Sequence, residues 1–177
     1  MNVLFVCTGN YYRSKFCENL WFFLLEKFDK KGSVSSSGLN PGLAQLWKDA
    51  FGRVSPFTRR ALKIIGVPLV DDSSLHLISQ QEVDDSDIVV FLNKSEHLPM
   101  LADSRVMVPI SKIVAWNNED VDQEFPMEAI FSMISNTCEL FQETYDCDIK
   151  CTERMFKQNF FSKFKIFSEF RLENLKL

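Results

Sequence analysis

Short apolar runs alternate with longer amphipathic stretches along most of the chain. Residues 2–6 and 88–92 form two of these runs, Asn-Val-Leu-Phe-Val and Ile-Val-Val-Phe-Leu. Runs of this kind are typical of strands that are buried on both faces of a parallel sheet. Residues 34–38 and 106–110 are two further strand candidates. The pattern therefore predicts four strands.

Amphipathic stretches separate or follow these strands. Apolar residues at helical spacing predict helices over 14–31, 43–51, 56–65, 93–101 and 129–140. The third has the clearest ends, because Ser55 before Pro56 is a capping arrangement and Gly66 is a terminator. The alternation predicts an α/β fold of three layers, in which a doubly wound, four-stranded parallel sheet carries helices on both faces.

The length of the chain and a change of composition near its end predict two segments. The 177 residues suffice for one domain with a sizeable core. Near the end of the chain, a phenylalanine-rich segment with a predicted helix over 152–177 forms an extension. Its apolar stripe contains Phe156, Phe160, Phe164 and Phe167.

The charge of this extension allows two interpretations. Residues 150–177 contain seven basic and three acidic residues, a net charge of +4, although the whole chain has a net charge of −4. A basic amphipathic helix can bind an anionic membrane or a partner protein. It can also pack back over the domain, and we favour packing.

Net charge and cysteine content indicate where the protein acts. The acidic balance argues against nucleic-acid binding, and no apolar run is long enough to span a bilayer. The N-terminal residues do not resemble a signal peptide, and five irregularly spaced cysteines do not indicate a disulfide framework. We expect a cytoplasmic protein.

His76 and His97 have no ligand partners at metal-site spacing, so we expect no metal site.

The candidate chemistry lies between the first strand and the first helix, in the sequence Val6-Cys7-Thr8-Gly9-Asn10-Tyr11-Tyr12-Arg13-Ser14. Backbone N–H groups at a helix N-terminus can converge on an anion. Gly9 permits unusual backbone angles, and the guanidinium of Arg13 can hold two phosphate oxygens. The same positive field favours the thiolate of Cys7, the reactive form, which Ser14 can hydrogen-bond.

These features predict a phosphate-binding loop with its own nucleophile, suited to phosphoryl transfer through a cysteinyl-phosphate. The alternative is a structural cysteine at the end of a core strand, followed by an unrelated arginine. Gly9, Asn10 and Ser14 in the same loop favour the functional interpretation. The predicted phosphate-binding residues are Thr8, Gly9, Asn10, Tyr11, Tyr12, Arg13 and Ser14.

This Cys-x5-Arg-Ser loop resembles that of the low-molecular-weight protein tyrosine phosphatases, whose fold and loop are shared by thioredoxin-coupled arsenate reductases and bacterial arginine phosphatases. The resemblance covers about the first 145 residues and is strongest at the loop, which implies a catalytic domain at 1–145 and an extension at 146–177. Tyr11 stands where the family usually has a smaller residue, and Tyr12 where many members have a second cysteine. The resemblance implies that Cys7 is the nucleophile and that no metal or organic cofactor is needed.

The resemblance also implies a general acid, an aspartate followed by proline in a loop after the fourth strand. The chain has no Asp-Pro sequence. Some relatives have a tryptophan four residues before this aspartate, and Trp116 and Asp120 reproduce that spacing. We therefore predict Asp120 as the acid, with Glu119 and Asp122 as alternatives, although these carboxylates also fit a solvated cap before a helix.

Three further residues have two interpretations each. The resemblance implies that Ser36 braces Asn10, whereas an ordinary turn serine fits equally well. Cys17 is a candidate resolving thiol for an oxidised Cys7, but a core position is favoured. Trp47 is a candidate wall of the substrate cleft, but core packing is again favoured.

The substrate follows only in outline. The resemblance implies a phosphorylated protein or a small aryl phosphate as substrate, with phosphate or sulfate as ligands of the loop. The aromatic residues that usually follow the Asp-Pro are absent, since Val121 and Asp122 stand there, which puts tyrosine specificity in doubt. In the arginine phosphatases a small threonine stands at the place of Tyr11, so the bulk of Tyr11 disfavours phosphoarginine. The arsenate reductases need further cysteines in the middle of the chain, and none lies between Cys17 and Cys138. The alternative class is a non-catalytic adaptor that binds phosphoproteins.

Overall fold

The computed structural model describes residues 1–45, 49, 54–70, 75–119 and 126–174. For residues 41, 44, 126, 127 and 164–174 it describes the backbone alone. Most of the helix predicted over 43–51, including Trp47, lies outside these ranges. Its first part is a 3₁₀ turn, Pro41–Ala44.

Four parallel strands form one sheet: β1 (Asn2–Cys7), β2 (Ser33–Gly38), β3 (Ile88–Phe91) and β4 (Ile113–Ala115). Their order across the sheet is β2-β1-β3-β4, and all three strand pairs are parallel. This order places the first strand in the middle of the sheet and reverses the winding direction there. The predicted doubly wound α/β fold is confirmed.

The strand register brings the ends of β1, β2 and β3 to one edge of the sheet. Cys7 pairs with Gly38 of β2, and the preceding residue, Val6, pairs with Phe91 of β3. In an open parallel sheet, ligands bind beyond the carboxyl ends of the strands where the winding reverses. Cys7 lies at that place.

The fourth strand differs from the sequence prediction. Residues 106–109 have no regular secondary structure, and β4 begins only after a 3₁₀ turn at Ile110–Lys112. Pro109 has no N–H group to donate to a neighbouring strand, and it immediately precedes this turn. Val106 and Val108 are apolar because they pack against a small core cluster, so the prediction of a strand over 106–110 is wrong.

The helices have clear local causes. They are α1 (Arg13–Lys27), α2 (Pro56–Ile65), α3 (Gln80–Asp85), α4 (Lys94–Ala102), α5 (Pro126–Tyr145) and α6 (Lys150–Asn174). At α2 the predicted ends are present: the Ser55 hydroxyl accepts from the N–H of Phe57, and Gly66 has a left-handed φ of 78°. Helix α3 begins with a capping box between Ser79 and Glu82, which the sequence prediction did not include.

The two faces of the sheet support separate hydrophobic clusters. Phe5 points into the larger cluster, which α1, α2, α5 and α6 cover. Leu4 and Val6 point to the opposite face, where Ile78 and Val83 cover them. This alternation follows from the two-residue period of a strand, and it produces the three layers.

Helix α6 contributes to the larger cluster. Phe156 and Phe160 are completely buried, and the ring of Phe156 lies 5.9 Å from that of Phe23 in α1. Phe161, the next residue along, is 68% exposed. The first half of the predicted extension therefore packs on the domain. Within the ranges described above, no helix is long and apolar enough to cross a membrane.

Candidate active site

The loop after β1 is held from outside by its carbonyl groups. The carbonyl oxygens of Cys7 and Thr8 accept hydrogen bonds from the N–H groups of Leu39 and Asn40, at 3.0 and 2.7 Å. These two donors directly follow β2. The loop therefore rests against the neighbouring strand.

The second half of the loop rests on the start of α2. The carbonyl oxygen of Tyr11 accepts from the N–H of Ser55 at 3.0 Å, and that of Tyr12 accepts from the hydroxyl of Thr58 at 3.0 Å. Ser55 is the cap residue of α2. The capping signal in the sequence thus also supports the loop.

These contacts orient the N–H groups of the loop. In a trans peptide the C=O and the following N–H point in opposite directions, and no cis peptide is present among the described residues. The N–H groups of Thr8, Gly9, Tyr12 and Arg13 therefore point away from the scaffold that binds the carbonyls. N–H groups that point to the inner side of a loop form an anion-binding concavity.

Cys7, the nucleophile predicted from the sequence, is the last residue of β1 and begins this loop. Cys7 is 2% exposed, and its Sγ lies 3.1 Å from Ser14 Oγ. The two residues are thus close enough for Ser14 to donate a hydrogen bond to a thiolate. Both belong to the machinery expected for a cysteine nucleophile.

Asn10 connects this pair to β2. Its side-chain Nδ2 donates to Ser14 Oγ at 3.2 Å and to Ser36 Oγ at 2.9 Å. The contact between Asn10 and Ser36 that the resemblance implies is present. Asn10 is buried and has a left-handed φ of 52°, so an unusual backbone angle of the loop lies here, one residue after the position predicted from Gly9.

A buried ion pair continues the same network. Ser36 Oγ donates to Glu18 Oε2 at 2.7 Å, and Lys15 Nζ donates to the same oxygen at 3.0 Å. The side chain of Lys15 is 0% exposed and that of Glu18 is 12% exposed. A charged lysine in the core requires such a partner. The hydrogen bonds therefore run without a break from Cys7 to Lys15.

Gly38 permits the close approach of the loop to β2. A Cβ atom at this position would lie 2.9 Å from the carbonyl oxygen of Thr8 and 3.1 Å from Cβ of Asn10. Real Cβ atoms do not tolerate a backbone oxygen at 2.9 Å without displacement. Only glycine fits between the strand and the loop as they stand.

The two tyrosines of the loop have different surroundings. Tyr12 is 7% exposed, and its ring packs edge-on against Phe57, with centroids 6.4 Å apart. Tyr11 is half-buried. Burial raises the pKa of Tyr11, and the charge of Arg59 opposes that rise. Tyr12 is thus a packing residue, and Tyr11 is the one with an accessible surface.

Arg13 is held by a carboxylate that the sequence prediction did not include. Its Nη1 donates to Glu96 Oε2 at 2.7 Å and its Nη2 to Glu96 Oε1 at 3.1 Å. The hydroxyl of Thr8 also donates to Glu96 Oε1. Arg13 is 2% exposed, and the side chain of Glu96 is 36% exposed.

The surroundings of Glu96 keep it ionised. Burial by itself raises the pKa of its carboxyl. Hydrogen bonds from His97, Arg13 and Thr8, together with the charge of Arg13, outweigh burial and hold the pKa well below its usual range. At neutral pH the loop therefore faces a permanent negative charge.

The segment with the predicted general acid begins beside Arg13. The carbonyl oxygen of Asn118 accepts from Arg13 Nη1 at 3.2 Å, and its N–H donates to the carbonyl of Leu92 at 2.8 Å. Glu119 is partly buried. Asp120, Val121 and Asp122 lie outside the described residues, so the role of Asp120 stays a prediction.

Trp116 is partly buried and packs against the larger hydrophobic cluster. Its ring packs against that of Phe5, with centroids 5.9 Å apart. Its N–H donates to the carbonyl of Phe91 at 2.9 Å, and its own carbonyl accepts from Lys94 at 2.7 Å. These contacts fix the path of the chain just before the predicted acid.

The remaining candidates concern redox and metal chemistry. Cys17 is completely buried, and burial raises its pKa to about 12, with a smaller contribution from Cys7 in the same direction. This environment favours a core role over a resolving thiol. Among the residues that the structure describes, no cluster of histidine, cysteine and carboxylate side chains is arranged to hold a metal ion.

Glu96 and Asn118 are the residues that sequence analysis missed. They contact Arg13 although they lie 83 and 105 positions away in the chain. The register of β3 and β4 brings them to the same sheet edge. Glu96 follows Asn93, which caps α4 through its side chain, so the motif Asn-x-x-Glu after a strand was the one local signal available.

Solved structures with a similar fold are known. A low-molecular-weight protein tyrosine phosphatase from T. tengcongensis superposes with a TM-score of 0.63 at 18% identity, over 82% of this chain and 98% of that one. The Drosophila arginine phosphatase gives 0.63 at 25% identity, over 84% and 99%. A thioredoxin-dependent arsenate reductase from Corynebacterium glutamicum gives 0.58 at 19%, over 80% of this chain and 60% of that one.

The chain therefore has the fold of the low-molecular-weight protein tyrosine phosphatases, and the resemblance seen in the loop is confirmed at the level of the fold. The sequence matches no family model. It also has no significant match among curated proteins. The same fold serves phosphatases and an arsenate reductase, so the reaction has to be argued from the site.

Proposed function

We propose that this protein is a cysteine-dependent phosphatase that hydrolyses phosphotyrosine or a similar aryl phosphomonoester through a cysteinyl-phosphate intermediate. The observation that supports this most directly is the pairing of Cys7 with Ser14 at the two ends of a loop in which four carbonyls, those of residues 7, 8, 11 and 12, are bound by neighbouring segments. A structural cysteine would not require an inward ring of N–H groups. The substrate is a phosphorylated protein or a small aryl phosphate.

In the first step the thiolate of Cys7 attacks phosphorus. The bond between phosphorus and the aryl oxygen breaks, and that oxygen takes a proton from the general acid, for which Asp120 is the proposed residue. The loop N–H groups and the guanidinium of Arg13 bind the three other phosphate oxygens. Donors placed around developing charge are the main source of rate enhancement in sites of this kind.

In the second step a water molecule attacks the cysteinyl-phosphate. The carboxylate of Asp120 takes a proton from this water, the bond between sulfur and phosphorus breaks, and inorganic phosphate is released. Ser14 Oγ, 3.1 Å from Cys7 Sγ, stabilises the departing thiolate. No redox equivalent is consumed, and the enzyme returns to its starting state.

The burial of Cys17 and Cys138 argues against arsenate reduction. Cys138 is almost completely buried, and burial raises its pKa to about 12. Cys17 is buried in the same way. A thiol relay requires accessible thiolates, and neither residue provides one.

Hydrolysis of p-nitrophenyl phosphate between pH 5 and 7 tests the proposal. We expect turnover by the wild-type protein, none by Cys7→Ser, and a loss of about 10² or more in kcat for Asp120→Asn, the usual size of an acid–base contribution. Cys151→Ser is the matched control, because Cys151 is exposed and should not affect the rate. If Asp120→Asn is harmless, Glu119→Gln and Asp122→Asn are the next variants.

Two outcomes would contradict the proposal. An inert wild-type protein with a reduced Cys7 would exclude the enzyme, and binding of a phosphotyrosine peptide without turnover would then establish a phosphoprotein-binding adaptor. A preference for phosphoarginine over phosphotyrosine peptides would contradict the substrate class. Both measurements use the full chain.

A further inference from the structure

The loop that should receive a phosphate dianion is already in contact with a carboxylate from α4. Glu96 forms a two-pronged ion pair with Arg13, at 2.7 and 3.1 Å. It also accepts from the hydroxyl of Thr8, the residue after the nucleophile. Bidentate hydrogen bonds between a guanidinium and a carboxylate are stronger than hydrogen bonds between neutral groups, so Glu96 is a tightly bound partner of the loop.

The position of Glu96 is fixed by its own helix. Its backbone N–H donates to the side chain of Asn93 at 3.0 Å in the first turn of α4. On the other side, Nε2 of His97 lies 3.4 Å from Glu96 Oε2. With its backbone anchored, the carboxylate does not have to reach the loop through a flexible segment. The contact is therefore built into the fold.

The charge of Glu96 opposes the binding of an oxyanion to Arg13. Arg13 carries one positive charge, and Glu96 cancels it at a distance of less than 3 Å. An oxyanion that binds to the same guanidinium meets this negative charge at short range. Like charges a few ångströms apart in a partly buried site repel each other by several times the thermal energy.

We propose that Glu96 is an affinity-determining residue of the oxyanion loop: its carboxylate is the resident counter-ion of Arg13 and weakens the binding of inorganic phosphate and of phosphoester dianions. This inference rests on the proposed function, in which Arg13 and the loop N–H groups bind phosphate. In this site Glu96 opposes the binding of phosphate, whereas Arg13 and the loop N–H groups promote it. The phosphate product would leave more easily for the same reason.

Glu96 also changes what a good substrate requires. Because the phosphate group by itself binds weakly, the rest of the substrate must contribute more of the binding energy. Free inorganic phosphate has no such further part. The carboxylate thus favours a bulky phosphomonoester over the free anion.

The test measures the dissociation constant of inorganic phosphate by calorimetry, and the KM and kcat for p-nitrophenyl phosphate, in four proteins. These are the wild type, Glu96→Gln, Glu96→Asp and Glu139→Gln. Glu96→Gln removes the charge and keeps the shape. Glu96→Asp keeps the charge, and Glu139→Gln makes the same change of net charge at an exposed position of α5.

We expect phosphate to bind about tenfold or more tightly to Glu96→Gln, which corresponds to about 1.4 kcal/mol. The KM should fall by a similar factor, whereas kcat should change less. Glu96→Asp should remain within a few-fold of the wild type, and Glu139→Gln should match it. A purely structural role of Glu96 would lower affinity and kcat together.

Two results would overturn the proposal. Equal or weaker phosphate binding by a folded Glu96→Gln protein would show that the carboxylate only orients Arg13. Equal tightening in Glu139→Gln would show a general effect of net charge. Failure of the proposed function is distinguishable, because tighter phosphate binding by Glu96→Gln without any turnover would support Glu96 as counter-ion and contradict the phosphatase.

Discussion

Asn10 Nδ2 lies 2.9 Å from the hydroxyl of Ser36, a residue of the neighbouring strand. Asn10 is buried and has a left-handed backbone, a conformation that residues other than glycine adopt at some cost. The hydrogen bond to Ser36 compensates part of that cost. The shape of the proposed phosphate-binding loop thus depends on a hydroxyl outside the loop.

Ser36→Ala should therefore weaken phosphate binding. The substitution leaves a buried amide with one partner fewer, which costs about 1–3 kcal/mol, and part of this cost should appear as lower affinity of the loop for phosphate. Calorimetry with inorganic phosphate measures the loss of affinity, and urea unfolding measures the loss of stability.

Ser37→Ala is the matched control for this prediction. Ser37 is also buried, but its hydroxyl donates to Glu82 at 2.5 Å on the other face of the sheet. We expect a comparable loss of stability with unchanged phosphate affinity. Equal effects of the two variants on phosphate binding would show that the contact with Asn10 does not shape the loop.

Gly38→Ala should displace the loop directly. The new Cβ would lie 2.9 Å from the carbonyl oxygen of Thr8, a backbone atom that cannot move without moving the loop. We expect a loss of activity toward p-nitrophenyl phosphate of about tenfold or more, since small displacements of positioning groups have large effects on rate.

Gly42→Ala is the corresponding control. Gly42 is exposed, and a Cβ there would approach only the side chain of Asn40, at 3.4 Å. Its activity should equal that of the wild type. Normal activity of Gly38→Ala would contradict the rigid packing of the loop against β2.

The sequence was sufficient to predict the loop, the sheet and most helices, because each leaves a local signature. The capping serine before α2 and the apolar run at β3 depend on neighbours in the chain. The fourth strand was placed wrongly because Val106 and Val108 are apolar for a different reason, their contact with the smaller cluster. A run of apolar residues indicates that their side chains are buried, but it does not show that the segment pairs with a neighbouring strand.

The partners of Arg13 had no comparable signature. Its contact with Glu96 spans 83 positions and its contact with Asn118 spans 105. Both contacts depend on where β3 and β4 end relative to each other. Because the fourth strand was predicted at the wrong residues, the contact with Asn118 could not be predicted. The loop was predictable because its chemistry is contained in eight consecutive residues, Cys7 to Ser14, whereas its electrostatic environment is assembled from three chain segments.

Lys15→Met should destabilise the fold strongly. It removes the partner of Glu18, whose side chain is 12% exposed and lies 3.0 Å from Lys15 Nζ. Removing one member of a buried ion pair typically costs about 3–5 kcal/mol, because the other charge stays uncompensated. Urea unfolding measures this loss, and the double variant Lys15→Met/Glu18→Gln should recover part of it.

A surface pair provides the comparison for Lys15. Lys157 and Glu153 are 2.6 Å apart, with side chains 34% and 27% exposed. Exposed pairs contribute about 0–1 kcal/mol, so Lys157→Met should be nearly neutral. Similar losses for both lysine variants would contradict the buried character of the first pair.

Cys17 should resist alkylation in the folded protein. Burial raises its pKa to about 12, so at pH 8 only about 10⁻⁴ of it is thiolate, the form that reacts. With iodoacetamide at pH 8, mass spectrometry should find label on the exposed Cys151 and none on Cys17 until the protein is unfolded. Rapid labelling of Cys17 in folded protein would revive its role as a resolving thiol.

The last prediction concerns the junction between the domain and α6. Phe156 and Phe160 are completely buried, and Phe160 packs edge-on against Phe131 of α5, with ring centroids 5.8 Å apart. Because truncation of a core phenylalanine leaves a cavity, Phe156→Ala should lower the free energy of unfolding by about 3–5 kcal/mol.

Phe161→Ala is the control, because Phe161 lies in the same helix but is 68% exposed. A substitution at such a surface position should change stability by no more than about 0.5 kcal/mol. If both variants are neutral in urea unfolding, α6 does not belong to the cooperative unit. If Phe156→Ala alone is destabilising, the Phe-rich segment that begins as an extension in sequence is part of the core that supports α1, and through α1 the position of Arg13.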